Sequence, residues 1–163
     1  MLDRYKNYDI IVCDIDETLI YGFWTDLMRV TWNVFRSNLI SDILMFLQSY
    51  LLLFKLNWKL WYILVTSPAQ IYFVTARKHS KATEKLIDII MSLDSDSHPS
   101  YSIVSLQTDY PDIDKFNYVV SLLEKYPEAK ICLFDDNKEV RDKVATLDID
   151  TFNPVVMYER QVK

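Results

Sequence analysis

Two aspartates separated by a single residue follow a short apolar run near the start of the chain. Asp14 and Asp16 come after Ile10–Cys13, and Thr18 lies two residues further on. If the apolar run is a β-strand, both carboxylates point to the same side of its end, because side chains alternate along a strand. Two anions at this separation repel each other, so a buried pair needs a cation or a shared proton between them. The stretch therefore predicts a site for a divalent metal ion.

Polar residues also follow two later apolar runs. Thr75 comes directly after residues 71–74, and the pair Asp135-Asp136 comes directly after Ile131–Phe134. A single acidic pair after a strand is more often a solvated turn than a ligand set. In a parallel sheet, however, ligands bind beyond the carboxyl ends of the strands. We therefore expect the three polar groups to meet at one edge of a sheet.

The pattern of apolar residues after residue 69 alternates between strands and helices. It predicts strands over 70–74, 101–106, 130–134 and 149–152, and helices over 81–91, 113–126 and 138–145. Together with the first strand, this order predicts an α/β fold with a mainly parallel five-stranded sheet and helices on both faces. The length of 163 residues suits a single domain.

The segment between the first two polar groups, residues 23–68, is predicted to be helical. A second helix is expected over residues 39–65, with most of its circumference apolar. It can be packed against neighbouring helices, form a homo-oligomer contact or lie on a lipid surface, and burial in the core or a dimer interface is the favoured alternative. Membrane spanning is disfavoured, because the apolar run over residues 43–54 is shorter than the ~20 residues that a bilayer requires. The amphipathic helix before it has an apolar side formed by Trp24, Leu27, Met28 and Phe35.

Composition limits the class of partner and the compartment. A net charge of −5 gives no general basic surface for polyanions, although it does not exclude a phosphorylated substrate. Cys13 and Cys132 lie inside apolar runs, which favours reduced core thiols over a disulfide. Residues 1–9 are polar and charged and lack the apolar segment of a secretory signal. We therefore expect a cytoplasmic protein.

The order and spacing of these residues resemble the haloacid dehalogenase superfamily of phosphotransferases over residues 9–152. Asp14-x-Asp16-x-Thr18 resembles the first motif, Thr75 the second and Asp135-Asp136 the fourth. The third motif, a lysine at the start of a helix, is best matched by Lys115. The resemblance implies a three-layer Rossmann-like fold, with residues 23–68 as a small helical cap inserted after the first strand.

The resemblance also implies a Mg²⁺ site and a covalent mechanism. One oxygen of Asp14, the main-chain carbonyl of Asp16 and the pair Asp135-Asp136 would hold the metal, and which member of the pair touches it stays open. The other oxygen of Asp14 would attack phosphorus to give an aspartyl-phosphate. Asp16 would act as general acid and then as general base.

Three further residues are candidates for contact with the substrate phosphate. The resemblance implies that Thr75 and Lys115 stabilise the transferring phosphoryl group. Arg77 can form a bidentate phosphate clamp, with a surface salt bridge as an equal alternative. Glu17 departs from the family, where glycine is often found after the second aspartate, and a bulkier charged residue there is expected to affect what enters the site.

A small cap leaves the site open, which favours a bulky substrate. Thr75-Ala76-Arg77 and Phe134-Asp135-Asp136-Asn137 also resemble the phosphatase domains of phage-type polynucleotide kinase/phosphatases. The leading expectation is therefore a nucleic-acid 3′-phosphate or a nucleotide, and the alternative is a small metabolite such as a sugar phosphate. A third alternative is a non-catalytic module whose apolar helix over residues 39–65 binds a partner or a membrane surface.

Overall fold

The computed structural model of the protein describes residues 5, 7–21, 55–76, 81–94 and 99–159. The strands are β1 (Ile10–Cys13), β2 (Ile20–Tyr21), β3 (Lys55–Leu56), β4 (Gln70–Thr75), β5 (Tyr101–Ser105), β6 (Ile131–Phe134) and β7 (Asp150–Phe152). The helices are α1 (Trp58–Thr66), α2 (Lys81–Met91), α3 (Pro111–Lys125), α4 (Lys138–Ala145) and α5 (Pro154–Glu159).

Five strands form one parallel sheet in the order β5-β4-β1-β6-β7. The central strand is β1, in which Ile10 pairs with Gln70 of β4 on one side and with Ile131 of β6 on the other. The carboxyl ends of β4, β1 and β6 are therefore neighbours at one edge. The predicted five-stranded sheet is confirmed, and all of its strand pairs are parallel.

Residues of β1 alternate between two apolar cores, one on each face of the sheet. Ile11 and Cys13 belong to a core that includes buried residues of α1 and α2. Ile10 and Val12 belong to a second core that includes buried residues of α3 and α4. Burial of β1 on both faces accounts for its uninterrupted apolar sequence. The predicted helices on both faces of the sheet are confirmed.

A second, two-stranded sheet lies next to the first strand in sequence. β2 and β3 are antiparallel, with Ile20 opposite Leu56 and Tyr21 opposite Lys55. The prediction of one helix over residues 39–65 is therefore wrong at Lys55 and Leu56, which are extended, whereas residues 58–65 are helical as predicted. Residues 22–54, which contain the other helix predicted in this segment, lie outside the described residues.

The apolar sequence after β3 forms α1 and is packed against the sheet. Leu60, Ile63 and Leu64 are buried in the first core, whereas Trp58 and Tyr62 remain about half exposed. Of the alternatives considered for the apolar segment, burial in the protein's own core therefore holds for the residues of α1. No helix in the described parts of the chain is long and apolar enough to cross a membrane.

The start of α3 and the presence of α5 differ from the predicted elements, and both helices begin with a proline. α3 begins at Pro111 rather than at residue 113, and proline suits the first position of a helix because its missing N–H has no partner there in any case. α5 has no counterpart among the predicted elements. It is a six-residue helix that also begins with a proline, Pro154.

Asn57 links four segments of the chain and is fully buried. Its Oδ1 accepts a hydrogen bond from the N–H of Leu60 at 3.2 Å, which caps α1. Its Nδ2 donates to the carbonyl oxygens of Thr18 at 3.3 Å and Pro154 at 3.2 Å. Its main-chain N–H donates to the carbonyl of Leu19 at 2.9 Å. Asn57 therefore caps α1 and holds the loop after β1 against the start of α5.

We predict that Asn57→Ala lowers the free energy of unfolding by about 2 to 4 kcal/mol, because it removes a helix cap and leaves two buried carbonyls without their donor. Urea denaturation followed by circular dichroism measures the change. Asn117→Ala, at an exposed position of α3, is the matched control, with an expected change within about 0.5 kcal/mol. Equal stability of the two variants would show that the contacts of Asn57 contribute little.

Candidate active site

A buried lysine joins two aspartates from neighbouring strands. Asp14 follows β1 and Asp135 follows β6, and the Nζ of Lys115 lies 2.7 Å from Asp14 Oδ1 and 2.6 Å from Asp135 Oδ2. The exposed fractions are 6% for Asp14, 0% for Asp135 and 4% for Lys115. The main-chain N–H of Asp14 also donates to the carbonyl of Phe134 at 2.9 Å, which extends the pairing of the two strands to this point. The carboxylates of Asp14 and Asp135, which are far apart in sequence, thus contact the same lysine ammonium group.

The alternation of side chains along the strands explains why both carboxylates face α3. Val12 of β1 and Leu133 of β6 pack in the core that contains residues of α3 and α4. Asp14 and Asp135 each lie two residues further along, and they therefore point to the same face.

Lys115 lies on the buried side of α3 together with apolar residues. Val119 and Leu122, four and seven residues later, are the other buried residues of this helix, and this spacing places all three side chains on one stripe. Burial alone would lower the pKa of Lys115, but the charges of Asp14 and Asp135 outweigh that effect and the pKa is raised. Lys115 is therefore cationic at any physiological pH.

Asp136 adds a third carboxylate to the group. Side-chain oxygens of Asp14, Asp135 and Asp136 all lie within 4.8 Å of one another. The buried hydroxyl of Thr18 donates to Asp136 Oδ1 at 3.3 Å and accepts from the main-chain N–H of Asp136 at 3.0 Å. Thr18 therefore holds both the carboxylate and the main-chain N–H of Asp136.

The three carboxylates carry more negative charge than Lys115 offsets. Burial and the neighbouring charge of Asp14 raise the pKa of Asp136 from 3.8 to about 7. The same two causes raise the pKa of Asp135 to about 6, although Lys115 acts in the opposite direction. A further cation would relieve this repulsion at neutral pH.

The donor set fits Mg²⁺, which prefers carboxylate oxygens and water as ligands. Both oxygens of Asp135 have donors, because Oδ2 contacts Lys115 and Oδ1 accepts from the N–H of Asn137 at 2.9 Å. One oxygen of Asp14 contacts Lys115, and one oxygen of Asp136 contacts Thr18. Asp14 Oδ2 and Asp136 Oδ2 lie outside these contacts, and these two oxygens are best suited to a metal ion.

Asp16 and Glu17 form a tight turn after β1. The N–H of Glu17 donates to the carbonyl of Ile20 at 2.9 Å, and the N–H of Ile20 donates to the carbonyl of Ile15 at 3.0 Å. Glu17 has a φ of 56°, in the left-handed region that glycine adopts at the lowest cost. Among the described residues, the carboxylates that can share a metal ion are those of Asp14, Asp135 and Asp136, and Asp16 is not one of them.

Of the two other predicted phosphate ligands, Thr75 and Arg77, the structure describes only Thr75. Thr75 is the last residue of β4, is 1% exposed and lies at the same sheet edge as Asp14. Its main-chain carbonyl accepts a hydrogen bond from the N–H of Leu106 at 2.9 Å. Arg77 lies outside the described residues.

Sequence reasoning missed two polar residues that support the site. Arg141 donates from Nη1 to the main-chain carbonyls of Asp135 and Asp136, at 2.7 and 2.5 Å. Asn57 holds the main chain of Thr18, as described above. A lone amide inside an apolar segment is a signal that could have drawn attention to Asn57, whereas an arginine on a polar helix is too common to be one.

Comparison of the chain with protein-family models, with curated proteins and with solved structures finds no match.

We predict that the metal-free protein loses stability as the pH rises from about 4 to 7. The pKa values of Asp135 and Asp136 in the folded protein, about 6 and about 7, lie above the ordinary 3.8, so the folded state binds more protons than the unfolded state in this window. Thermal unfolding in the presence of a chelator at pH 5 and pH 8 measures the loss. Asp136→Asn is expected to lose less stability than the parent between these two pH values. An equal loss would contradict the raised pKa of Asp136.

We further predict that Glu17→Gly is more stable than Glu17→Ala by about 1 kcal/mol, because only glycine relieves the left-handed backbone. Both variants remove the carboxylate, so their difference isolates the backbone effect from the charge. Urea denaturation at pH 7 measures it. If Glu17→Ala were the more stable of the two, strain at this position would be refuted.

Proposed function

We propose that the protein is a Mg²⁺-dependent phosphomonoester hydrolase of the haloacid dehalogenase type, with Asp14 as the nucleophile. The observation that carries the proposal is the buried contact of Lys115 with Asp14 and Asp135, with Asp136 beside them. These side chains lie at the carboxyl edge of a parallel sheet. Their order along the chain is that of the motifs of this superfamily.

Asp14 and Asp136 would hold the metal, together with the main-chain carbonyl of Asp16. Asp136 is the better direct ligand of the acidic pair, because both oxygens of Asp135 already have donors. When bound, Mg²⁺ supplies positive charge that offsets the negative charge of the transferring phosphoryl group. Asp135 then has a different task, which is to hold Lys115 in place.

Asp14 attacks phosphorus through the oxygen that Lys115 contacts. The new bond joins this oxygen to phosphorus as the bond to the leaving alcohol breaks, and an aspartyl-phosphate results. Lys115 is cationic, buried and 2.7 Å from this oxygen, so it orients the nucleophile and offsets charge on the phosphoryl group.

Asp16 moves the protons in both halves of the reaction. It donates a proton to the leaving alcohol in the first step. In the second step it takes a proton from the water that attacks the aspartyl-phosphate, which releases inorganic phosphate and restores Asp14. Thr75, at the end of the neighbouring strand, donates its hydroxyl to a phosphoryl oxygen.

The proposed leaving group is the 3′ end of a nucleic acid or a nucleoside. The similarity of Thr75-Ala76-Arg77 and of Phe134-Asp135-Asp136-Asn137 to the phosphatase domains of polynucleotide kinase/phosphatases supports this choice. A sugar phosphate is the comparison substrate, because a small metabolite is the alternative within the same superfamily.

We predict that the protein releases phosphate from p-nitrophenyl phosphate only when Mg²⁺ is present, and that Asp14→Asn lowers the rate by more than about 1,000-fold, because the amide is no nucleophile. Asp142→Asn, at an exposed position of α4, is the control with the expected parental rate. Equal rates in the parent and Asp14→Asn would remove the proposed mechanism.

The same assay ranks the substrate classes. A higher kcat/KM for a 3′-phosphorylated oligonucleotide than for its 5′-phosphorylated counterpart and for sugar phosphates would support a nucleic-acid substrate. A folded parent that hydrolyses none of these esters would favour the non-catalytic module instead.

A further inference from the structure

Two consecutive aspartates at the end of β6 face the same neighbour, which an extended chain does not allow. In a strand, successive side chains point to opposite faces. Oxygens of Asp135 and Asp136 nevertheless both lie within 4.8 Å of an oxygen of Asp14. The chain must therefore bend between the two residues, and something must hold the bend against the repulsion of their charges.

Arg141 contacts the main chain at this bend. Its Nη1 lies 2.7 Å from the carbonyl oxygen of Asp135 and 2.5 Å from that of Asp136. Two successive carbonyls that converge on one nitrogen restrain the two peptide groups that flank the Cα of Asp136, and with them the direction of its Cα–Cβ bond. An arginine is suited to this task because its planar guanidinium is always charged and offers several donors.

The position of Arg141 follows from the local sequence. Asn137 caps α4 by accepting a hydrogen bond from the N–H of Glu139 at 2.9 Å, so the helix starts two residues after the acidic pair. Arg141 lies four residues after Asn137, and its main-chain N–H donates to the carbonyl of Asn137 at 3.2 Å. The side chain of Arg141 thus extends back along the helix to the loop that precedes it, as side chains of helices do.

We propose that Arg141 is a positioning residue that holds Asp135 and Asp136 in the geometry needed for metal binding. This inference depends on the metal site of the proposed function. Groups that orient metal ligands typically change metal affinity or activity by 10- to 100-fold when they are removed. Arg141 contacts the carbonyl groups of the acidic pair, and Thr18 contacts the N–H and one carboxylate oxygen of Asp136.

The packing of α4 does not depend on Arg141. The buried residues of this helix are Val140 and Val144, which belong to the core on that face of the sheet. Removal of the guanidinium is therefore expected to alter the acidic loop more than the fold. On the same helix, Lys138 forms an exposed ion pair with Asp142, so it provides a control cation that does not contact the loop.

The experiment compares Arg141→Met with Lys138→Met in the full chain. Each variant removes one cation from α4 and introduces the same side chain. The probe is Mn²⁺, which shares the preference of Mg²⁺ for oxygen ligands and is detected by electron paramagnetic resonance. The readouts are the Kd for Mn²⁺, the Tm without metal, and kcat and KM at several Mg²⁺ concentrations.

We expect Arg141→Met to raise the Kd for Mn²⁺ by about 10- to 100-fold and to increase the Mg²⁺ concentration needed for half-maximal activity. Lys138→Met should leave both unchanged. Arg141→Lys keeps the charge, but its ammonium stands on a side chain one bond shorter than the path to Nη1, so its Kd should lie between those of the parent and Arg141→Met. A Kd for Arg141→Met within twofold of the parent would overturn the inference, even if the Tm were lower.

Failure of this inference can be told apart from failure of the proposed function. If the parent binds Mn²⁺ but hydrolyses no phosphate ester, the function is wrong and the Kd values still decide the role of Arg141. If the parent binds no Mn²⁺, the inference is overturned with the metal site. Should Arg141→Met fail to fold, Arg141→Lys decides. For that variant, a Kd for Mn²⁺ above the parental value at an unchanged Tm supports the inference. A Kd equal to the parental value overturns it.

Discussion

The arrangement of the site depends on one buried cation between two anions. Lys115 contacts Asp14 and Asp135, and all three residues are almost completely excluded from solvent. Removal of ions from water is costly, and only close contact with opposite charge compensates for it. One lysine cannot balance the nearby Asp136 as well, and this residual negative charge makes the edge of the sheet receptive to a further cation.

Most of the α/β core could be predicted because its elements have strong local patterns. β1 and β6 are uninterrupted apolar runs, and α2 and α4 have the bounds that their periodicity predicts. In the helix predicted over residues 39–65, the described part is helical from Trp58 onward but not at Lys55 and Leu56. Lys55 and Leu56 are extended because they pair with β2, which lies more than thirty residues earlier in the chain. A long-range pairing of this kind leaves no periodic signal in a short apolar segment.

The candidate site divides in the same way between local and non-local information. Asp14 and the pair Asp135-Asp136 could be placed at one edge of the sheet from the sequence, since each group directly follows an apolar strand. Lys115 could be selected only through the family resemblance, which expects a lysine at the start of a helix, and its contacts required the fold. Arg141 and Asn57 were missed because they bind main-chain carbonyl groups. Every residue has such a carbonyl, so the sequence does not mark which ones need a donor.

Tyr21 and Lys55, which flank residues 22–54 in sequence, are paired in the antiparallel strands β2 and β3. A chain segment whose two ends are paired can change length at small entropic cost, about 0.6 kcal/mol for each doubling. Asn57, which follows β3, donates hydrogen bonds to the carbonyls of Thr18 and Pro154. These contacts do not involve the residues between β2 and β3. A change in the length or sequence of residues 22–54 would therefore leave the acidic cluster undisturbed.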